Sequence, residues 1–87
     1  MARFSDGYGA AAVTANPTLI YKFDGNREVL SLYNNGTATV YIGSGTAVTT
    51  STGYPVVSGG ECHWLGVSDC YGIVAAGTCD VRFHNVA

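Results

Sequence analysis

The sequence predicts an all-β protein: a small antiparallel β-sandwich or partly closed barrel with an extended N-terminal arm. Three observations lead there. Short segments rich in Val, Ile, Thr and Tyr recur between turn residues, no segment repeats its apolar residues at the helical period, and Cys79, Val81 and Phe83 alternate with Asp80, Arg82 and His84 near the end. The alternation places one set of side chains in a core and the other in solvent, because successive residues of a strand point to opposite faces. At 87 residues the chain makes one domain. A domain of that size buries only about 60–65% of the surface its unfolded chain exposes, so its own core is thin.

The arm is expected over residues 1–16 and the single β-domain over 17–87, with the change at Asn16-Pro17. Met1 to Ala15 contain Gly7, Gly9 and the run Ala10-Ala11-Ala12 without amphipathic periodicity, and they carry two isolated aromatics, Phe4 and Tyr8, suited to lie on a neighbouring subunit. Thr18 to Phe23 reads as the first strand, stopped by Asp24-Gly25-Asn26, and Glu28 to Asn34 as the second. Asn35-Gly36 then predicts a two-residue type I′ turn with positive φ at both central positions. Its partner strand would be Thr37 to Ile42, with Ala38, Val40 and Ile42 on one face and Thr37, Thr39 and Tyr41 on the other. From Gly43 to Gly60 the chain is turn-rich, with a short edge strand expected at Thr46 to Thr50 and an exposed binding loop at Tyr54-Pro55. Three strands close the chain: Glu61 to Leu65, Cys70 to Ala75 and Thr78 to Val86, the last two joined tightly at Ala76-Gly77.

Composition bears on partners. Charged residues are 11% of the chain, against about 25% in ordinary soluble domains. The surface must therefore be built from Thr, Ser, Asn and Gly, and another protein can cover it with few ions to desolvate. Small domains of this kind gain stability from disulfides, a metal or oligomerisation. A net charge of −2 with four Lys or Arg offers no basic stripe, so nucleic acid is not an expected partner. No apolar run approaches the roughly 18 residues of a spanning helix, so no membrane span is expected. Asp6, Gly7 and Gly9 interrupt the stretch that loosely imitates a signal peptide.

Three cysteines, Cys62, Cys70 and Cys79, cannot all pair within one chain, which favours reduced thiols over a secreted disulfide framework. With His63 and His84 they suggest zinc, but no C-x2-C or H-x3-H spacing is present. Adjacent Cys62 and His63 point to opposite faces of a strand, as do Cys79 and His84, so the thiols read as small buried hydrophobes and neither metal nor cofactor is expected. For catalysis, His63 or His84 as base and Asp69, Asp80 or Glu61 as orienting carboxylate are the available groups. No nucleophile elbow, phosphate loop or metal-binding helix accompanies them, so no catalytic residue is assigned and the chain is not expected to be an enzyme. A carbohydrate-binding β-module is the alternative from another class, with Trp64, Tyr54, Tyr41 and Tyr33 as aromatics for a sugar platform. Trp64 shares strand parity with Cys62 and belongs to the core, whereas Tyr54 beside Pro55 is the exposed one.

The order Asn34-Asn35-Gly36-Thr37, Val40-Tyr41-Ile42-Gly43, Val48-Thr49-Thr50-Ser51, Gly53-Tyr54-Pro55-Val56, Gly60-Glu61, Tyr71 to Thr78 and Asp80-Val81-Arg82 resembles a group of small β-rich virion proteins of tailed bacteriophages, over roughly residues 27–87. The resemblance implies a capsid decoration (cement) protein that binds across capsid subunit junctions, or a connector, tail or fibre component. It further implies the major capsid protein or another virion protein as partner, a homo-oligomer with a trimer favoured, and a place in the virion after assembly in the bacterial host cytoplasm. The cysteines stand where that pattern holds small or apolar residues, and no catalytic or ligand-binding residue carries over. The residues expected at the assembly interface are Phe4, Tyr8, Tyr54 and Pro55.

Overall fold

The computed structural model describes residues 7–23, 28–66 and 68–86. Eight strands follow in chain order: β1 (Gly7–Thr14), β2 (Thr18–Tyr21), β3 (Glu28–Asn34), β4 (Val40–Gly43), β5 (Tyr54–Val56), β6 (Glu61–Gly66), β7 (Cys70–Ile73) and β8 (Thr78–Val86). They form two four-stranded antiparallel sheets, in the orders β1-β8-β3-β6 and β2-β7-β4-β5. The pairs nest: β1 with β8, β2 with β7, β3 with β6 and β4 with β5. One antiparallel ribbon is thus rolled up until β8 meets β3 and β7 meets β4, which is the strand order of a jelly roll. The fold is a β-sandwich, one of the two forms that the sequence predicts, and not a closed barrel.

The core lies between the sheets. Val13, Leu30, Leu32, Cys79 and Val81 enter it from the first sheet, and Ile20, Val40, Ile42, Val56 and Cys70 from the second. The alternation read along the last strand is realised, with Cys79 and Val81 buried, Phe83 packed against the core, and Arg82 and His84 exposed. A β-bulge between Leu19 and Tyr21 breaks the period of two. Consecutive residues Ile20 and Tyr21 therefore both reach the core, where Tyr21 meets the edge of Phe83 with ring centroids 5.6 Å apart.

Over Gly7–Thr14 the residues expected in the arm are a full edge strand, in register with β8 from Gly7 opposite Asn85 to Thr14 opposite Thr78. Small residues suit this place: Gly9 lies where a Cβ would meet the Phe83 ring, and Ala11 and fully buried Val13 face inward. Residues 1–6 of the expected arm, including Phe4, lie outside the described residues.

The Asn35-Gly36 hairpin is corrected. β3 is hydrogen-bonded on both sides, to β6 and β8, so it has no free edge for the next strand. The chain instead crosses to the second sheet, and no residue other than glycine has positive φ among those described. Asn34, the single buried polar residue among the described side chains, makes the corner. Its Nδ2 donates to Ala38 O at 2.7 Å and Val56 O at 2.8 Å, and its Oδ1 accepts the Gly36 amide at 3.0 Å. Cys79 Sγ lies 3.1 Å from the same Oδ1. Gly36 is needed because a Cβ there would collide with Cys79. The strand expected at Thr46 to Thr50 is also corrected: Thr49 and Thr52 turn their hydroxyls onto one another and onto nearby amides, closing a turn. β7 and β8, expected as neighbours, lie in different sheets, and Gly77 makes their connection at φ 71°.

Asn34→Ala takes the amide donors from the carbonyls of Ala38 and Val56, leaving Ala38 O the Cys79 thiol at 3.5 Å, a loss of about 2–4 kcal/mol. Urea denaturation of the two proteins measures it, and a loss below about 1 kcal/mol contradicts the role assigned to Asn34.

Candidate functional site

Strand parity sorts the remaining side chains onto two outer faces and one open flank. On the outer face of the first sheet, Tyr8, His84, Ser31 and His63 stand opposite one another across four strands, followed by Ala10, Arg82, Tyr33 and Glu61. Tyr8 is 85% exposed, and Tyr33 and Val29 are exposed beside it. The Arg82 guanidinium is turned onto Asp80, with Nη2 2.8 Å from Oδ2. Hydrogen bonds from Arg82 and then Asn35 hold the Asp80 carboxyl below the usual carboxylate range, and Asp80 in turn raises Arg82.

The outer face of the second sheet carries Leu19 and Tyr71 in one row and Ile73, Tyr41 and Pro55 in the next. These rows hold no charged residue. Part of the face is roofed by the chain itself, since Val48 is buried against Gly43, and Gly53 lies on Tyr41. Leu19 and Pro55 stay exposed. Proline fits β5 because this is an edge strand, where a missing amide donor breaks no ladder and discourages another strand from adding.

The open flank runs between the two edge strands β5 and β6. Tyr54, Glu61, Cys62, His63 and Trp64 line a cavity of about 490 Å³ there. Tyr54 is 63% exposed at its rim. Trp64 is half-buried against the core, as its parity with Cys62 required.

The four expected interface residues therefore do not share one surface. Tyr8 is on the first outer face, Pro55 on the second, Tyr54 on the flank, and Phe4 lies outside the described residues. Leu19, Val29 and Tyr33 were not assigned to the interface from sequence, although the parity opposite Ile20, Leu30 and Leu32 marks them as outward. The aromatics named for a sugar platform separate likewise: Tyr33 and Tyr41 are on opposite outer faces, while Tyr54 and Trp64 line the same cavity.

Cys70 and Cys79 are enclosed between the sheets, and Cys62 is partly buried. Burial raises the Cys62 thiol and pushes Cys70 up to about 12, with the nearby Cys62 adding to the second shift. Both are therefore protonated, poorly nucleophilic thiols near neutral pH. Among the described residues no three of His, Cys, Asp and Glu are grouped to hold a metal ion. His63 Nδ1 lies 3.2 Å from Ser31 Oγ, an exposed cross-strand contact. Of the carboxylates considered as its orienting partner, Asp80 is engaged by Arg82, and Asp69 accepts the Phe23 amide at 2.7 Å beside Lys22.

No family model matches the chain, and no curated protein matches it in sequence. Among solved structures it is similar to a chain from Bacillus endospore appendages, described as forming a novel family of disulfide-linked pili. The TM-score is 0.56 at 16% identity, over 98% of this chain and 87% of that one. At that identity the likeness establishes a shared fold.

Because the folded-state value of Asp80 lies below the unfolded one, of about 3.9, its stabilisation is complete above about pH 4 and is lost as the pH falls through the folded value. The stability difference between the protein and Asp80→Asn, from urea denaturation, is expected to shrink toward zero as the pH falls from about 4 through the lowered folded-state value. A difference that does not change with pH contradicts the assignment.

Proposed function

We propose that the chain is a non-enzymatic structural subunit that works by covering, and being covered by, other proteins in a repetitive assembly. The observation that carries this reading is the outer face of the β2-β7-β4-β5 sheet, whose rows of Leu19, Tyr41, Pro55, Tyr71 and Ile73 hold no charge. Covering such a face releases water from apolar surface and strips no ion of its hydration. The opposite face adds Tyr8, Val29 and Tyr33, with Asp80 and Arg82 already neutralising each other. A subunit with two receptive faces can be held from both sides.

In its finer form, the resemblance to tailed-phage virion proteins supports a capsid decoration protein. Copies, a trimer favoured, would sit across the junctions of major capsid protein subunits in the virion, where symmetry multiplies weak contacts. The jelly-roll likeness to a pilus-forming chain favours a second form, in which copies stack on one another as a filament. The disulfide linkage described for that neighbour is not carried over: Cys70 and Cys79 are shut between the sheets, and burial keeps the partly enclosed Cys62 a protonated, poorly nucleophilic thiol.

Quantitative peptide mass spectrometry of purified particles, together with electron microscopy of the isolated protein, tests the reading. Hundreds of copies per particle support decoration, about a dozen or fewer support a connector, tail or fibre place, and filaments formed by the isolated protein support the stacked form; absence from particles together with no filaments overturns the structural-subunit reading. In whichever assembly forms, Leu19→Asp or Tyr8→Ser is expected to weaken association roughly tenfold or more. Both residues are exposed, so thermal unfolding of the isolated protein should barely move.

A further inference from the structure

The flank cavity is not needed for assembly through the outer faces, and its lining is chemically mixed. One wall is Trp64, half-buried, with its indole ring reaching the core; the rim is Tyr54, 63% exposed, from the other sheet. The two aromatics lie ten positions apart in sequence and meet only because β5 and β6 are the edge strands on the same side of the sandwich. Glu61 and His63, which alternate with Cys62 and Trp64 along β6, bring a carboxylate acceptor and an imidazole to the same opening. At about 490 Å³ the cavity falls within the roughly 300–1,000 Å³ of small-molecule sites.

A second observation comes from the indole nitrogen. Trp64 Nε1 is buried without a hydrogen-bond partner, and no other side-chain nitrogen or oxygen among the described residues is in that position. A buried donor without an acceptor is costly to a fold. The atom is enclosed while the ring is half-buried, so a ligand oxygen supplies the missing acceptor only if the ring turns toward the opening.

We propose that the cavity between β5 and β6 is a binding site for one neutral sugar ring, held between Tyr54 and Trp64 with Glu61 and His63 on its hydroxyl edge. A pyranose presents an apolar C–H face and a polar rim, which is the division this lining makes between its aromatics and its β6 carboxylate and imidazole. Neutrality follows from charge. Glu61 is the one formally charged side chain in the lining at neutral pH, and the whole chain carries −2, so sugar acids and phosphates are repelled. An ammonium head group would answer the carboxylate, but it would leave most of the cavity empty and give the indole nitrogen no acceptor. None of the site's residues lies in the rows of the second outer face, while Glu61 and His63 also end two rows of the first, so assembly through the second face leaves the site open.

The chain has one tryptophan, so its fluorescence reports this cavity alone. The soluble protein is titrated with the methyl glycosides of glucose, galactose, mannose and N-acetylglucosamine, and with glucuronate, tetramethylammonium and p-cresol as competitors of other chemistry. The expected result is a saturable change in tryptophan emission with at least one neutral glycoside, and protection from acrylamide quenching. Tyr54→Ala should weaken that binding about tenfold, the loss of one aromatic face, and Glu61→Gln should weaken it while restoring tolerance of glucuronate. Tyr33→Ala, on the far face, should leave it unchanged. Circular dichroism of each variant separates loss of the site from loss of the fold. No response to any glycoside overturns the proposal, as does binding of p-cresol or tetramethylammonium alone.

Discussion

Two hydrogen bonds from the Asn34 amide, to Ala38 O and Val56 O, tie the end of β3 in one sheet to the approach to β4 and to β5 in the other. The same side chain accepts from the Gly36 amide and from Cys79 at the start of β8. An asparagine side chain has two donors and an acceptor oxygen with two lone pairs, and all of that capacity is used. In a low-dielectric interior a polar group is tolerable only on those terms. The backbone around it is fastened too: the Asn34 amide donates to Gly60 O, and Gly59 donates back to Asn34 O. The turn-rich passage between β4 and β6 is thereby returned to the corner where the ribbon folds over. A second fastening, from the Val74 amide to Thr14 O, joins the sheets at the end of β1.

This corner determines what the outside of the molecule can be. Once β3 is committed to β6 and β8, β4 must join the second sheet, and the parity of β4, β5 and β7 then puts Tyr41, Pro55, Tyr71 and Ile73 outside. Val40, Ile42, Val56 and Cys70 face inward from the same strands. Both sides of these short strands are apolar. The inner side fills the core, part of the outer side is roofed by Val48 and Gly53, and the remainder is the surface on which the proposed assembly rests. The roll also leaves β5 and β6 as edges on one side, which brings Tyr54 to Trp64 and gives the flank a cavity instead of a seam.

Much of this was legible in the chain. β3 and β8 begin and end where alternation and turn residues place them, because each is long, has a clear inward set, and is bounded by strong breakers. The parity of Trp64 and the exposure of Tyr54 were legible for the same reason. Partner choice was not. Asn35-Gly36 is a hairpin signal by local preference, but local preference knows nothing of β6 and β8 already occupying both edges of β3. Asn34 read only as the last residue of a strand, when its value lies in contacts with residues up to 45 positions away. β1 was hidden by its composition, since glycine and alanine are poor strand formers. They are tolerated there because the strand packs closely on Phe83. The shared cavity of Tyr54 and Trp64 has no local signature, as it depends on which strands become edges.

Amide hydrogen exchange at Gly36, followed residue by residue by NMR under native conditions, is the most direct test of this account. Gly36 follows a strand end in what sequence alone reads as an open, solvent-facing turn, yet its amide donates to the buried oxygen of Asn34. The account predicts protection at Gly36 approaching that of Leu30 and Leu32 in the core of β3, released only by global unfolding. Exchange at the rate of an exposed turn would contradict it, and the two sheets would then have to be held together by apolar packing without the Asn34 corner.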